Sequence, residues 1–308
     1  MGDRRVRPRD RALWLAVQRK AATLSPEAAR ALLAAYQTLR ESLSDAALTD
    51  LIASGRWAEI VDEATLDRAL RPFRERLVLA VDRGVRAAAI DVSFDVLNPR
   101  VIDAVRALDS RVINALKADI RETVRAHVEN GLRDGVPPRT IARALRPLIG
   151  LAPNQAEYVQ NYRAELEAGS KAALERRMRN MRYDKATAAG TLTPAQIDRA
   201  VTAYEKRLLA FNASTNARTM TTDSLKLGQH LAWQEAIDNG TVDKGSLNKR
   251  WVGVMDDRER PEHVLMEGET VGFEEAFSNG EYIPGESTWN CRCVVRYVVN
   301  ATRAVVAA

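Results

Sequence analysis

Residues 100–132 read RVIDAVRALDSRVINALKADIRETVRAHVENGL, and this stretch decides the fold class. Its apolar side chains recur every three or four residues, which is the spacing that places them on one face of an α-helix. Gly131 and the GVPP segment at 135–138 end the pattern, because glycine and proline terminate helices. The stretch therefore predicts one long amphipathic helix. Its apolar face consists of Val101, Val105, Leu108, Val112, Leu116, Ile120, Val124 and Val128.

The first two thirds of the chain predicts further helices on both sides of this one. Ser25-Pro26-Glu27 combines an N-cap residue, a first-turn proline and an early acidic residue, and Thr193-Pro194-Ala195-Gln196 has the pattern of a capping box. A low aromatic content of 6% also favours helices over an all-β sandwich. Helices are predicted over residues 25–42, 59–90, 100–132, 139–149, 153–168, 193–211 and 222–239.

The composition changes after Gly240. Residues 251–255 and 291–299 are rich in valine and other strand-forming residues, and turn residues lie between them. The predicted fold class is mainly α, with an elongated helical N-terminal domain and a small α+β, loop-rich C-terminal domain. The predicted organisation is a basic N-terminal arm (1–24), a helical domain (25–215), a C-terminal domain (216–299) and a tail (300–308).

The net charge of +5 is unevenly distributed along the 308 residues. Residues 1–30 contain eight basic and three acidic groups, whereas residues 216–308 contain ten basic and fourteen acidic groups. The N-terminal arginines predict contact with DNA phosphates or with an acidic protein surface, and the alternative is a solvated, unfolded tail. These arginines are Arg4, Arg5, Arg7, Arg9 and Arg11. A second basic run at 176–182 is predicted to be a solvated surface, because neighbouring acidic residues partly neutralise it.

Several classes of protein have no support in the sequence. No stretch approaches the roughly 18 apolar residues of a membrane span, and the basic N-terminus lacks a signal-peptide pattern, so we expect an intracellular protein without a membrane partner. Two cysteines cannot form a disulfide framework for a chain of this length. Nucleotide-binding loops, a His-Glu-x-x-His motif and a nucleophile elbow are all absent, which predicts a protein that is not an enzyme.

Cys291 and Cys293 lie two residues apart and form the clearest chemical feature. Alternate residues of a strand face the same side, so the two sulfurs together with His263 provide three ligands of the kind that zinc prefers. Two alternatives are that the cysteines are small strand residues beside a surface histidine, and that Cys and His form a nucleophile pair. No cofactor other than zinc is predicted. A fourth zinc ligand would come from His230, Asp256, Asp257 or water.

Charged residues next to Trp251 predict a polar network in the C-terminal domain. Asp257, Arg258 and Arg260 can form arginine–carboxylate pairs that hold an irregular loop, and an arginine could stack on the tryptophan. Because a small loop-rich domain has little core, we expect Trp251 and Trp289 to be buried.

The same region resembles the phage Mu F-like head morphogenesis proteins, also called minor head or minor capsid proteins. The resemblance covers residues 216–299 and begins with Ala217-Arg218-Thr219; Met220 then stands where the family often has glutamate. The residues that carry it are Trp251, Asp257, Arg258, Arg260, His263, Gly268, Phe277, Pro284, Cys291 and Cys293.

The resemblance implies a low-copy structural protein of tailed-phage or prophage procapsids, which is not an enzyme. Its implied partners are the portal protein, the capsid protein or scaffold, and double-stranded DNA. It would be located in the host cytoplasm during assembly and then in the procapsid or virion head. The helical domain, with its helix at 100–132, would dock on portal or capsid. Two other functions stay open: a metal-dependent or thiol enzyme using His263, Cys291 and Cys293, and a free DNA-binding protein.

Overall fold

The computed structural model of the chain describes residues 7–88 and 99–300. The α-helices in these ranges are α1 (Pro8–Ser42), α2 (Asp45–Ala53), α3 (Glu63–Val85), α4 (Pro99–Arg133), α5 (Pro138–Leu145), α6 (Pro153–Glu167), α7 (Asp184–Ala188), α8 (Pro194–Asp238) and α9 (Pro261–Met266). Short 3-10 turns lie at Trp57–Val61, Arg146–Leu148, Lys171–Glu175, Met181–Tyr183 and Lys244–Ser246.

Helix α1 begins well before the predicted start at Ser25, and Pro26 lies inside it. Pro8 suits the first helical position because its fixed φ matches the helix and its missing N–H is not needed there. Val17, Ala21 and Ala28 are buried, and the burial of this apolar face offsets the cost of an internal proline. Residues 8–24 are therefore helical rather than an unfolded arm. Arg4 and Arg5 lie outside the described residues.

Helix α8 is continuous where two helices, 193–211 and 222–239, were predicted. The intervening segment is rich in Asn and Thr, which favour caps and turns in isolation. In the structure these hydroxyls bond back to the helix itself: Thr219 Oγ1 donates to the Thr215 carbonyl at 3.0 Å, and Thr222 Oγ1 to the Arg218 carbonyl at 2.8 Å. Helix α2 was not predicted, and Ser44 caps it by accepting a hydrogen bond from the Ala47 amide.

The described residues divide into two compact units. The helical unit consists of Ala29–Phe73 and Arg111–Ser214, and the C-terminal unit consists of the described parts of Met1–Ala28, Arg74–Ser110 and Thr215–Ala308. Helices α1, α3, α4 and α8 contribute residues to both units.

The apolar face of α4 is buried, as the amphipathic pattern predicts. Its buried residues include Leu108, Leu116, Ile120, Val124 and Val128, while the side chains of Val101 and Val112 lie outside the description. An apolar face that is already buried is unsuited to docking a partner. Docking of the helix at 100–132 on portal or capsid stays a prediction, and its buried apolar residues would not form the contact.

The C-terminal unit contains a three-stranded antiparallel sheet of β1 (Leu247–Val252), β2 (Thr270–Gly272) and β3 (Val294–Val299), in the order β2-β1-β3. Trp251 of β1 lies opposite Val295 of β3. The predicted fold class, mainly α with a small α+β C-terminal region, is confirmed. Strand β3 begins at Val294, so the two cysteines precede the strand instead of opening it.

Two glycines allow α3 and α8 to pack closely within the C-terminal unit. A Cβ on Gly84 would lie 2.2 Å from the Leu225 carbonyl oxygen, and one on Gly228 would lie 2.0 Å from the Val81 carbonyl oxygen. Both obstacles are backbone atoms, so no side-chain rotation could accommodate a larger residue.

Across residues 7–88 and 99–300, no helix contains an apolar stretch long enough to cross a lipid bilayer.

Candidate metal centre and arginine-lined pocket

His263, Cys291 and Cys293 come together in the C-terminal unit, as the sequence predicts. One potential ligand atom from each lies within 4.8 Å of the other two. The Nδ1 atom of His263 is 3.8 Å from Cys291 Sγ and 3.5 Å from Cys293 Sγ. Each residue is at most 3% exposed, and both cysteines are free thiols.

Two elements and one aromatic side chain position these groups. His263 lies on the short helix α9, which begins with Pro261 in the first turn, and the cysteines lie on the segment that leads into β3. Trp251, which is completely buried on β1, makes edge contacts with His263 at 5.3 Å and with Phe277 at 5.1 Å between ring centroids. The apolar packing of the tryptophan thus fixes the orientation of the imidazole.

Glu259 is a fourth member of the cluster that sequence reasoning missed. One carboxylate oxygen, Oε2, accepts hydrogen bonds from the backbone amides of Val254 at 2.6 Å and Met255 at 3.1 Å. The other oxygen, Oε1, lies 2.9 Å from Cys293 Sγ and 4.0 Å from His263 Nδ1. Glu259 lies in the turn before α9, and no local sequence pattern distinguishes it from the other acidic residues of this region.

The fourth ligands suggested by the sequence have other partners. His230 Nδ1 is 3.1 Å from the Tyr297 hydroxyl, and the ring stacks on Phe273 at 4.6 Å. Asp256 forms a two-bond pair with Arg292, at 2.5 and 2.6 Å, and this hydrogen bonding lowers the pKa of Asp256 to about 2. Asp257 is exposed.

The pKa values of the two thiols are shifted in opposite directions. A hydrogen bond between them lowers the pKa of Cys291 to about 4 and raises that of Cys293 above its ordinary value. The hydrogen bond to Cys291 also raises the pKa of His263. Metals bind cysteine in its thiolate form, which a lowered thiol pKa favours.

A buried lysine, Lys226, lies near Cys291. Lys226 Nζ donates to the Pro284 carbonyl at 2.5 Å and lies 2.7 Å from Asp223 Oδ1. Although burial opposes the charged form, the negative charges of Asp223 and Cys291 raise the pKa of Lys226, so its ammonium is retained. Gly285, at φ +98°, leaves room here, because a Cβ would lie 2.9 Å from Lys226 Nζ and 3.3 Å from Cys291 Cβ.

An arginine-lined pocket of about 480 Å³ opens beside the cluster. Cys291 lies in its wall, and Trp14 donates its indole N–H to the Arg292 carbonyl at 2.9 Å. Arg218 and Arg258 are exposed, whereas Arg260 and Arg292 are partly buried. Its lining residues are Trp14, Gln18, Arg218, Thr219, Thr222, Arg258, Arg260, Asn290, Cys291 and Arg292. The pocket therefore offers a concentration of positive charge to an anionic group.

The polar network differs in detail from the one predicted. The arginine–carboxylate pair joins Asp256 to Arg292 in place of Asp257 and Arg258, and Arg260 donates to the Trp289 carbonyl at 2.8 Å. Trp251 is buried as expected, and its ring packs on His263 and Phe277. Trp289 is 40% exposed, because its segment is held through its backbone carbonyl while the indole remains in solvent. The prediction of a buried Trp289 is wrong.

Two further residues of the family resemblance, Gly268 and Pro284, contribute through their backbone. Gly268 has φ +81°, in the left-handed region that favours glycine, and a Cβ there would lie 2.8 Å from the guanidinium of Arg250. Pro284 supplies the carbonyl that Lys226 binds.

The described N-terminal arginines lie at the start of α1. Arg7, Arg9 and Arg11 are exposed, while Asp10 between them is completely buried. Asp10 Oδ1 lies 2.5 Å from an Arg296 guanidinium nitrogen and Oδ2 lies 3.5 Å from Arg250 Nε. These ion pairs attach the beginning of α1 to the sheet.

The second basic run forms ion pairs with nearby acidic residues. Arg176 pairs with Glu165, and Arg179 pairs with Asp184 at 2.9 Å. This agrees with the predicted charge neutralisation.

These features define a mainly helical protein whose C-terminal unit carries a buried Cys–His–Glu cluster and an arginine-lined pocket. The model of the phage Mu protein F-like family matches residues 122–296, which is more than half of the 308-residue chain. The chain therefore belongs to this phage head morphogenesis family. Searches of the curated proteins and of the solved structures found no significant match.

Proposed function

We propose that this protein is a minor head protein, a low-copy structural component that associates with the portal during assembly of a phage procapsid. The observation that carries the proposal is the family match over residues 122–296, which includes the whole Cys–His–Glu cluster. The protein would be made in the host cytoplasm and incorporated into the procapsid. Capsid protein or scaffold is the secondary partner.

The arginine-lined pocket supports contact with an acidic surface. Guanidinium groups bind carboxylates and phosphates through paired hydrogen bonds, so exposed arginines around one cavity favour an anionic partner. Arg218 and Arg258 are the exposed pair. We assign the portal contact to this pocket, because the apolar face of α4 is buried.

Co-expression with the portal protein tests this proposal. The wild-type chain should be recovered with tagged portal protein, and the double variant Arg218→Glu/Arg258→Glu should lose at least ~90% of that recovery, because two contacts become repulsive. The matched control is Arg139→Glu/Arg143→Glu, which makes the same charge change at exposed positions of α5. The control should bind like the wild type. No recovery of the wild type with portal, capsid or scaffold protein would contradict the proposal.

Contact with packaged DNA is a second part of the proposal, supported by the exposed Arg7, Arg9 and Arg11. Each phosphate contact should contribute about 0.9 to the slope of log affinity against log salt concentration. Replacing the arginines at 4, 5, 7, 9 and 11 with serine while keeping Asp10 should reduce both the affinity for double-stranded DNA and this slope. An unchanged slope would exclude these arginines as the contact.

An enzymatic role has less support than a structural one. The family is a phage structural family, and His263, Cys291 and Cys293 are buried. A thiol enzyme would need its nucleophile to reach a substrate. Alkylation of Cys291 that proceeds at the rate of a free exposed thiol would favour the enzyme alternative.

A further inference from the structure

We propose that Glu259, His263, Cys291 and Cys293 bind one zinc ion, which stabilises the C-terminal unit. This inference does not depend on a role in the phage head. It rests on the positions of four side chains that come from two separate segments of the chain.

The distances from His263 to the two cysteine sulfurs fit a tetrahedral zinc site. Zn–S bonds of about 2.3 Å and Zn–N bonds of about 2.0 Å at tetrahedral angles place sulfur and nitrogen about 3.5 Å apart. The two observed separations from His263 Nδ1 to the cysteine sulfurs are 3.5 and 3.8 Å. A simple hydrogen-bonded histidine would need only one such partner, whereas here two sulfurs lie at nearly the same distance from one ring nitrogen.

Glu259 provides the fourth ligand. Its Oε2 is held by two backbone amides, so the carboxylate is fixed in place, and its Oε1 faces Cys293 and His263. A divalent cation at this position would be attracted to the carboxylate and to both sulfur ligands.

Burial indicates a structural zinc site and not a catalytic one. Structural zinc sites have four protein ligands, while catalytic sites keep a position open for water or substrate. The side chains of Glu259 and His263 are each 3% exposed, and Cys293 is completely buried. The burial of these side chains therefore favours four protein ligands.

Lys226 completes the charge balance around the site. Two thiolates, one carboxylate and one zinc ion sum to a charge of −1, and the buried ammonium of Lys226 interacts electrostatically with both cysteines. Surrounding charges and hydrogen bonds of this kind orient ligands and tune metal affinity.

The proposed zinc would connect two parts of a loop-rich unit. It would join the segment containing Glu259 and His263 to the segment that leads into β3, which are separated by about 30 residues. Metal ligation provides folding free energy where a small region has a limited apolar core.

Zinc content of the purified full-length protein tests the inference. Protein prepared under reducing conditions should contain about one equivalent of zinc, and replacement with Co²⁺ should produce a thiolate-to-cobalt charge-transfer absorption. Cys291→Ser and Cys293→Ser should each reduce bound zinc below ~0.2 equivalents and remove that absorption. Glu259→Gln keeps an oxygen for the backbone amides and should weaken zinc binding ~10-fold or more.

Glu262→Gln is the matched control, because Glu262 is an exposed glutamate next to the ligand His263 on α9. It should retain the full equivalent of zinc. A control variant that lost zinc together with Glu259→Gln would overturn the assignment of Glu259 as a ligand.

A wild-type measurement covers the case in which the cysteine variants do not fold. Both thiols should react slowly with a thiol reagent, become reactive together after chelation, and be protected again when zinc is added. Natively folded protein that contains no zinc, binds no Co²⁺ and shows the same thiol reactivity with and without chelator would overturn the proposal.

Discussion

The largest fully buried side chains differ between the two units. In the helical unit they are aromatic or aliphatic, among them Tyr36, Phe73 and Leu70, whereas in the C-terminal unit they are Trp251, Lys226 and Lys249. The helical unit therefore gains its stability mainly from apolar burial. The C-terminal unit combines an apolar cluster around Trp251 with buried charged groups, and such polar networks are costly to disturb. The features that we relate to function lie in the unit with the charged interior.

Replacing Trp251 with alanine should cause the largest loss. The indole is completely buried and packs on His263 and Phe277, so its removal should lower the free energy of unfolding by about 3–5 kcal/mol. Urea denaturation measures this change. Trp289→Ala is the control, since this tryptophan is 40% exposed and should cost less than ~0.5 kcal/mol. Equal losses for both would contradict the assigned core.

Replacing one buried lysine in each unit tests whether buried charge contributes more to stability in the C-terminal unit than in the helical unit. Lys226→Met should cost about 3–5 kcal/mol, because it removes the ammonium that faces the buried Asp223. Lys117 in the helical unit is equally buried, but its partners Glu63 and Asp67 are 59% and 43% exposed. Water can solvate those carboxylates, so Lys117→Met should cost about 1 kcal/mol or less. Thermal and urea unfolding measure both losses. Similar losses of unfolding free energy for the two variants would contradict the proposed difference between the units.

The close approach of α3 and α8 predicts the effect of a single added methyl group. Gly228→Ala should lower the free energy of unfolding by about 3 kcal/mol, the upper end of the usual cost of overpacking, because the methyl would meet a backbone carbonyl. Gly245→Ala should change it by less than ~0.5 kcal/mol, since its nearest obstacle is the side chain of Asp243 at 3.2 Å. Urea denaturation of both variants provides the test, and a tolerated Gly228→Ala would contradict the packing.

The acid response of the C-terminal unit has the smallest expected effect. Burial, with a contribution from the charge of Lys249, lowers the pKa of His230 from 6.5 to about 4. In the unfolded chain this histidine becomes protonated below about pH 6.5, whereas in the folded chain it becomes protonated only below about pH 4. Stability from this group is complete above pH 6.5 and is lost as the pH falls toward 4, by about 2 kcal/mol between pH 7 and pH 5.

The variant His230→Phe should remove that part of the acid sensitivity, because phenylalanine can stack on Phe273 without titrating. The measurement is the free energy of unfolding of both proteins at pH 7 and pH 5. An identical decrease in the two proteins would show that His230 is not the titrating group.

Much of the fold could be predicted from sequence periodicity. The helix at residues 100–132 corresponds closely to α4, and residues 153–168 to α6, because their apolar spacing and their terminating glycines or prolines agree. The start of α1 was missed because Ser25 and Pro26 form a strong local start signal. Long-range packing of the helix face overrides that signal, and local patterns do not contain this information.

The sequence identifies three members of the Cys–His–Glu cluster but does not identify the fourth, Glu259. His263, Cys291 and Cys293 stand out because cysteines are rare in this chain and lie two residues apart. Glu259 is one of fourteen acidic residues between 216 and 308, and nothing in its local sequence distinguishes it. Only the tertiary structure shows that its carboxylate is fixed by two backbone amides beside the thiols. The same applies to Lys226, whose burial no helix pattern indicates.

The composition of purified procapsids tests the central claim most directly. Procapsids assembled from the head genes of the parent phage should contain this chain, by quantitative mass spectrometry, at a copy number far below that of the major capsid protein. Complexes that contain the portal protein should also contain it, and the Arg218→Glu/Arg258→Glu variant should be depleted from them. Complete absence of the wild-type chain from procapsids and from portal complexes at every stage of assembly would contradict the account.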